Sequence, residues 1–221
     1  MTTALELKKI YKILQDSLGR QHWWPGESAF EVMVGAILTQ NTNWSNVESS
    51  IANLKAANVL APKKLFSLSP AALAELIRPS GYYNIKAKRL RSFLKYLIER
   101  YDGSIEKMEK VDVATLREEI LSVSGIGKET ADSILLYALG KPVFVIDTYT
   151  KRILVRHNIV DEDADYDAMQ ELFTSALADD VKLFNEYHAL IVNVGKHWCR
   201  TKPKCEECPL GRLDDRKNIS L

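Results

Sequence analysis

Two glycines and an aspartate carry the clearest chemical signal in this 221-residue chain. Gly125-Ile126-Gly127 stands between two helical patterns, where glycine permits a tight turn and lets a phosphate approach backbone N–H groups. Such a turn at a helix N-terminus contacts a nucleic-acid backbone without reading its sequence. Asp147 begins a third helical pattern 20 residues after the second glycine, and a carboxylate there can stabilise a developing positive charge. The spacing indicates a helix-hairpin-helix DNA clamp coupled to a catalytic aspartate.

Each of these residues also has a purely structural interpretation. The two glycines fit an ordinary corner between helices, and short glycine motifs have many chance matches. Asp147 is a favoured N-cap residue ahead of the helical pattern that begins at Thr148. Capping and catalysis are compatible, because helix N–H groups hold a carboxylate in place and the carboxylate can still stabilise a positive charge.

Helices must position these residues, and apolar residues recur at helical spacing along almost the whole chain, which predicts an all-α fold. Ser28 reads as an N-cap, and Pro70 occupies a first helical position after Ser69. The run 143–146 is β-like but has no partner strand. The predicted helices cover residues 5–18, 30–38, 46–56, 62–66, 70–77, 86–101, 115–123, 129–139, 148–157, 167–177 and 184–197.

The net charge of +1 does not by itself indicate a nucleic-acid partner, but the charges are unevenly distributed. Basic residues crowd the segment 86–100, and acidic residues crowd the segment 161–171. A basic DNA-contacting face fits this pattern, and so do two solvated helix faces. No apolar run has the length of a membrane span and no signal peptide opens the chain, so we expect a cytoplasmic protein without a membrane partner.

The three cysteines, Cys199, Cys205 and Cys208, fall within ten residues of one another. In a cytosolic chain, an odd number of clustered cysteines favours metal binding over disulfide formation.

Four motifs, in order, resemble the endonuclease III branch of the helix-hairpin-helix, Gly/Pro-Asp superfamily of DNA glycosylases. They are Leu38-Thr39-Gln40-Asn41-Thr42, the run from Gly81 to Ala87, Gly125-Ile126-Gly127 with Thr130-Ala131, and the run from Val145 to Thr148. The resemblance covers residues from about 20 to about 210, and the cysteine cluster falls at the family's C-terminal position. It implies a base excision repair enzyme that flips a damaged base out of double-stranded DNA.

The resemblance also implies roles for particular residues and a division of the chain. Asp147 would be catalytic, and Gln40 would fill the hole left by the flipped base. A six-helix domain over residues 25–142 and a second domain made of 1–24 and 143–221 would face each other across a cleft, in a monomeric protein. The DNA-binding residues of the hairpin would be Gly125, Gly127, Lys128 and Thr130.

One departure from the family pattern concerns strand cleavage. Bifunctional members carry a lysine nucleophile where this chain has Glu129, and Lys128 stands one place earlier on a different helix face. A carboxylate cannot form the Schiff base that β-elimination requires, so the resemblance implies a monofunctional glycosylase without AP lyase activity. We expect Glu129 to lie near Asp147, where two close carboxylates would share a proton or bind a water.

A second departure concerns the cysteines, because the family's fourth cysteine is replaced by Asp214 or its neighbour Asp215. Three thiolates and the Asp214 carboxylate could hold a [4Fe–4S] cluster, while a degenerate, metal-free loop explains the missing ligand equally directly.

Trp23-Trp24-Pro25 and Trp44 resemble the 3-methyladenine DNA glycosylase subgroup of the family. Positively charged alkylated purines stack well on indole rings, so these three tryptophans would form the base pocket. They would instead belong to the core if they follow the usual burial of tryptophan.

Two rival functions stay open at this point. The enzyme could act on another lesion, such as a mismatched thymine or an oxidised pyrimidine. The chain could also be a non-catalytic helix-hairpin-helix DNA-binding protein, although the presence of Asp147 argues against that function.

Overall fold

The structure, a computed structural model, describes residues 3–211 and 213, and these residues form helices without any strand. The predicted all-α fold is thereby confirmed. The chain divides into two compact units. The first unit joins Met1–Trp23 to Pro142–Leu221, and the second unit is Trp24–Lys141. Each observed boundary lies one residue before the predicted one, while the cleft between domains stays a prediction.

The described residues contain twelve α-helices. In chain order they are α1 (Thr3–Leu18), α2 (Ala29–Leu38), α3 (Trp44–Ala56), α4 (Pro62–Ser67), α5 (Pro70–Leu76), α6 (Tyr83–Tyr101), α7 (Ile105–Glu109), α8 (Val113–Leu121), α9 (Lys128–Ser133), α10 (Thr148–Arg156), α11 (Tyr166–Ala176) and α12 (Val181–His197). A 3₁₀ turn, Arg78–Ser80, follows α5, and a π-helical turn, Ile134–Ala138, continues α9. None of these helices has the length and apolar character needed to cross a membrane.

The first unit is built on aromatic packing between helices α1, α11 and α12. The rings of Phe144 and Phe173 stack with centroids 3.8 Å apart, and Phe184 meets Phe144 edge-on. The Tyr187 hydroxyl, fully buried, donates to the Leu7 carbonyl at 2.8 Å, which satisfies its polar atom inside the core. The β-like run Val143–Ile146 is buried beside these rings rather than paired as a strand, and it leads directly into Asp147.

The second unit is organised around α2, in which every residue from Phe30 to Leu38 is buried. A largely apolar helix that is buried on all sides belongs in the centre of a domain, and α2 packs against α3, α6, α9 and the π-helical turn. The Ser28 side chain caps α2 by accepting from the Glu31 N–H at 3.2 Å. The C-terminal end of α2 delivers Thr39 and Gln40 to the surface.

The structure differs from the sequence-based expectation in two details of the second unit. It contains eight α-helical segments, whereas the resemblance implies six helices and apolar spacing predicts seven. The segment missing from the predicted seven is α7. Ser104 caps α7 immediately after the Asp102-Gly103 turn. Because α7 has only 5 residues, it is too short to show a clear apolar period. The second difference is the π-helical turn, which replaces the last part of the helix expected over 129–139.

Candidate functional site

The hairpin turn between α8 and α9 requires a glycine at position 125. Gly125 has φ of +89°, a conformation that side chains rarely adopt, and a Cβ there would overlap the Cγ atom of Arg89. Ile126 is buried and donates its N–H to the Val123 carbonyl at 3.1 Å, which anchors the turn. The fold therefore explains Gly125 without any ligand.

At position 127, in contrast, neither the backbone conformation nor a neighbouring side chain excludes residues other than glycine. Gly127 has a φ of −96° that suits any residue, it is exposed, and a Cβ there would have no atom within 4 Å. The open space lies at the N-terminal end of α9, where Lys128 and Glu129 are also exposed. A glycine at this position keeps the backbone accessible to an external group, as a phosphate contact requires.

Gln40 joins the hairpin through a hydrogen-bond network. Its Nε2 donates to the Thr130 Oγ1 at 3.0 Å and to the Gly125 carbonyl at 3.3 Å, and its Oε1 accepts from Arg89 Nη1. Three residues that were predicted separately as DNA-binding are therefore brought together. Arg89 was not among the predicted site residues, and the only signal for it was its place in the basic segment of α6.

Lys86, one turn before Arg89, holds the end of α2. Its side chain is 1% exposed, and Nζ donates to the Leu38 carbonyl at 2.8 Å and to the Ser80 carbonyl at 2.5 Å. Burial, with a smaller contribution from the charge of Arg89, lowers the pKa of Lys86 to about 8. Because Leu38 is the last residue of α2, this lysine fixes the chain just ahead of Gln40.

An aromatic cluster of the second unit contains two of the three predicted pocket tryptophans. The rings of Trp24 and Trp44 meet edge to face with centroids 5.1 Å apart, and Trp24 lies 5.1 Å from Tyr137. Gly35 faces both indoles, since a Cβ on it would lie 3.6 Å from each. Trp44 is half-buried, and its Nε1 donates to Glu48 at 2.7 Å. Tyr137 was missed because a π-helical turn, which shows no sequence period, places it in the cluster.

Trp23 belongs to the first unit, with different neighbours. The Lys196 ammonium lies 5.3 Å from the centroid of its ring, which is a cation–π contact. Trp23 also lines an open groove of about 590 Å³ formed by the end of α1 and the start of α12. Its assignment to the base pocket stays a prediction.

Asp147 is the N-cap of α10, as its sequence position indicates. Its Oδ1 accepts from the Thr150 N–H at 2.7 Å and from the Thr150 hydroxyl at 2.8 Å. Its Oδ2 lies 3.7 Å from Nε2 of His188 on α12, and the Asp147 side chain is 11% exposed. The carboxylate is therefore held in a mostly buried position with its two oxygens in different environments.

The structure buries His188 beside Asp147. Burial lowers the pKa of His188 below the ordinary 6.5, and the Asp147 carboxylate offsets part of that effect. The imidazole is therefore neutral at neutral pH. No sequence signal could find this pair, because 41 residues separate its members.

Glu129 lies in the first turn of α9 in the second unit and is exposed. A carboxylate near a helix N-terminus is favourably placed with respect to the helix dipole, which gives Glu129 a structural role of its own. The predicted proximity of Glu129 to Asp147 stays a prediction.

The three cysteines line one narrow cavity of about 20 Å³ with Arg156 and Trp198. The Arg156 guanidinium donates to Cys199 Sγ at 3.4 Å, and burial raises the pKa of the Cys208 thiol. The three thiols suit an iron–sulfur cluster, but within residues 3–211 and 213 no three His, Cys, Asp or Glu side chains are placed to hold a single metal ion. Asp214 lies outside the described residues, so the cluster stays a prediction.

Residues 34–178 match the family described as the HhH-GPD superfamily of base excision DNA repair proteins. This match covers more than half of the chain, and the chain therefore belongs to that superfamily. The family resemblance inferred from the four motifs is confirmed.

Similar proteins narrow the class further. A Methanocaldococcus jannaschii protein, named provisionally as a DNA repair glycosylase, is 52% identical over 91% of this chain and 92% of its own length. The crystal structure of the H. pylori 3-methyladenine DNA glycosylase bound to 1,N6-ethenoadenine has a TM-score of 0.75 and 32% identity, over 89% of this chain and 98% of that one. A non-covalent endonuclease III–DNA complex has a TM-score of 0.82 at 20% identity, over 98% and 100% of the two chains.

These similarities define the protein as an endonuclease III-like DNA glycosylase of base excision repair. Its fold is the helical fold of endonuclease III. Membership of a superfamily of base excision DNA repair proteins makes DNA its partner.

Proposed function

We propose that the protein is a monomeric, monofunctional DNA glycosylase that removes alkylated purines such as 3-methyladenine from double-stranded DNA. The observation that carries this proposal is the aromatic cluster of Trp24, Trp44 and Tyr137. The 32% identity to a 3-methyladenine glycosylase over 89% of the chain supports it.

The aromatic cluster suits a cationic base. Alkylation at a purine ring nitrogen gives the base a positive charge, and a cation over an aromatic face gains about 0.5–2 kcal/mol, more when water is excluded. An unmodified purine lacks this term. The edge-to-face contact between Trp24 and Trp44 also fixes both rings, so little side-chain freedom is lost when a base binds.

The positive charge of the alkylated base also determines the catalytic role of Asp147. The glycosidic bond of a cationic purine is already labile, so the enzyme need not protonate the leaving base. Asp147 stabilises the positive charge that develops on the sugar and orients a water toward C1′. Its Oδ1 is occupied by two donors from Thr150, which leaves Oδ2 as the oxygen for this role.

Gln40 and the hairpin supply the DNA contacts. Gln40 fills the space left by the flipped base. To reach that space, the Gln40 side chain must exchange its hydrogen bonds to Thr130, Gly125 and Arg89 for hydrogen bonds to DNA. Gly127 and the N–H groups that follow it contact a phosphate, with Lys128 adding a positive charge.

Strand cleavage is not part of the proposed reaction, because Glu129 occupies the family position of the lysine nucleophile. Wild-type protein is expected to leave abasic DNA intact and to give no covalent adduct with borohydride. Glu129→Lys is expected to yield detectable trapping. Efficient trapping by the wild type would show that another amine, with Lys128 as the first suspect, acts as a nucleophile.

The test of substrate class uses methylated duplex DNA, which carries cationic bases such as 3-methyladenine, and for comparison a duplex that contains the neutral base 1,N6-ethenoadenine, with alkali to reveal abasic sites. Trp44→Ala is expected to lower excision of the cationic bases at least tenfold. Trp198→Ala, which removes another half-buried indole next to the cysteines, is the matched control. Equal losses in the two variants, or release only from duplexes with a T·G mismatch or an oxidised pyrimidine, would refute the alkylpurine assignment.

For the cysteines we propose that Cys199, Cys205 and Cys208 bind a [4Fe–4S] cluster with Asp214 as the fourth ligand. Support comes from the three thiols meeting at one place and from the Arg156 donor at Cys199 Sγ, since hydrogen bonds to sulfur are common in such sites. Anaerobically purified protein should be brown with about four irons per chain. A colourless, iron-free and well-folded protein would establish a metal-free loop.

A further inference from the structure

The surroundings of the Asp147 carboxylate are unequal on its two sides. The Thr150 N–H and hydroxyl hold Oδ1, and both belong to the same first turn of α10. On the Oδ2 side, the neighbour is Nε2 of His188 at 3.7 Å, which comes from a different helix. Two donors on one oxygen fix that atom, but they still allow the second oxygen to swing about it.

We propose that His188 is a positioning residue, whose imidazole confines Oδ2 of Asp147 to the orientation that the sugar cation requires. This inference rests on the proposed function, because Asp147 acts there through Oδ2. His188 does not touch the substrate in this scheme and acts only through the carboxylate.

The contact distance and the charge state of His188 both suit this role. A separation of 3.7 Å is too long for a strong hydrogen bond, so the imidazole limits movement without occupying the oxygen. Burial keeps His188 neutral, and a neutral ring does not cancel the negative charge that the reaction uses. A protonated histidine would form an ion pair with Asp147 and weaken its action on the sugar.

His188 is itself rigidly held, as a positioning residue must be. Its side chain is 6% exposed, and its ring lies 6.3 Å from the ring of Phe144 at nearly a right angle. Phe144 stacks on Phe173 in the core of the first unit. The position of Oδ2 is thereby connected to the aromatic core of that unit.

The kinetic test compares His188→Leu, His188→Gln and the control His197→Gln, which changes an exposed histidine on the same helix. Single-turnover excision should fall about tenfold to a hundredfold in His188→Leu, because small displacements of a reacting group have effects of this size. The dissociation constant for lesion DNA should stay within about twofold of the wild-type value, since this contact is not part of DNA binding.

His188→Gln, which can keep a polar atom near Oδ2, should recover most of the rate. His197→Gln should match the wild type. A His188→Leu variant that folds and excises at the wild-type rate, or a loss that appears only as weaker DNA binding, would overturn the proposal.

A spectroscopic test separates this proposal from the proposed function and does not need a folded His188 variant. The ¹⁵N shifts of the His188 imidazole are measured in wild-type protein and in Asp147→Asn, where the carboxylate charge is removed. A shift confined to His188, with His197 unchanged, supports the contact even if the protein excises no alkylpurine. Unchanged His188 shifts would overturn the proposal whatever the substrate proves to be.

Discussion

The surroundings of Asp147 and Gln40 differ in kind. Asp147 is mostly buried and is held by the first turn of its own helix and by a buried histidine. Gln40 is half-buried and is held only by polar side-chain bonds to the hairpin and to Arg89. The first arrangement can change only if the core rearranges, whereas the second can be exchanged for bonds to a ligand.

This difference suits the two tasks proposed for these residues. A group that stabilises a transition state must already be in place before the reaction, because any reorganisation adds to the barrier. A group that enters DNA must move, and partners with similar hydrogen-bonding strength make that exchange nearly neutral in free energy. Substitutions on each side of the comparison should therefore have effects of different size and kind.

The largest effect is expected for the carboxylate. Asp147→Asn keeps the size and capping ability of the side chain but removes its charge, so excision should fall at least a hundredfold, about 3 kcal/mol. DNA binding should survive. Asp165→Asn, which changes the N-cap of α11 in the same unit, is the matched control and should keep its activity. Near wild-type excision by Asp147→Asn would remove the catalytic carboxylate from the mechanism.

The two hairpin glycines should respond differently to alanine. Gly125→Ala forces a Cβ against Arg89 at a positive φ, and should cost about 1–3 kcal/mol of stability in urea unfolding. Gly127→Ala should cost less, about 0.5–1 kcal/mol for alanine in place of glycine at an N-cap, since its Cβ meets nothing, but it should weaken binding to undamaged duplex DNA. Unchanged DNA binding in a folded Gly127→Ala protein would show that no phosphate approaches this position.

Much of this comparison could be predicted from the sequence. The N-caps at Ser28 and Asp147, the helix start at Pro70 and the glycine turn are local signals, and the structure shows both caps and the start of α5 at Pro70. Such features depend on a few consecutive residues, so spacing alone is enough to find them.

The remaining features depend on contacts between distant segments. Arg89 reaches Gln40 across 49 residues, and His188 reaches Asp147 from another helix. Tyr137 depends on a local change of helix type that apolar spacing does not encode. Adjacent Trp23 and Trp24 were treated as one pair, yet their ring contacts lie in different units, because successive side chains point in different directions.

A smaller effect is expected for the bonds that hold Gln40. Arg89→Met keeps the aliphatic stem beneath Gly125 but removes the donor to Gln40 Oε1. Excision should not fall and should rise several-fold at most, because a bond of about 1 kcal/mol no longer has to be given up when Gln40 enters DNA. Lys88→Met, which removes an exposed charge one residue earlier, is the control for general loss of attraction to DNA. If both variants lose the same amount, Arg89 acts through its charge and not through Gln40.

The smallest effect expected is the change of protein stability with pH that His188 causes. It tests whether His188 and Asp147 lie in a buried environment, unlike Gln40. Since the pKa of His188 is lower in the folded protein, the unfolded chain binds a proton that the folded protein does not. Well above a pH of about 6.5, His188 should therefore not affect the free energy of unfolding. As the pH falls through that value toward the pKa of His188 in the folded protein, the free energy of unfolding should decrease.

Urea unfolding at about pH 7.5 and about pH 5.5, on either side of the ordinary histidine pKa, measures this slope. His188→Gln cannot take up the proton at this position and should lose less stability than the wild type over the same range. A wild-type protein that becomes more stable than His188→Gln as the pH falls would mean that the Asp147 carboxylate outweighs burial. His188 would then carry a charge beside Asp147, and the neutral, confining role proposed for it would be wrong.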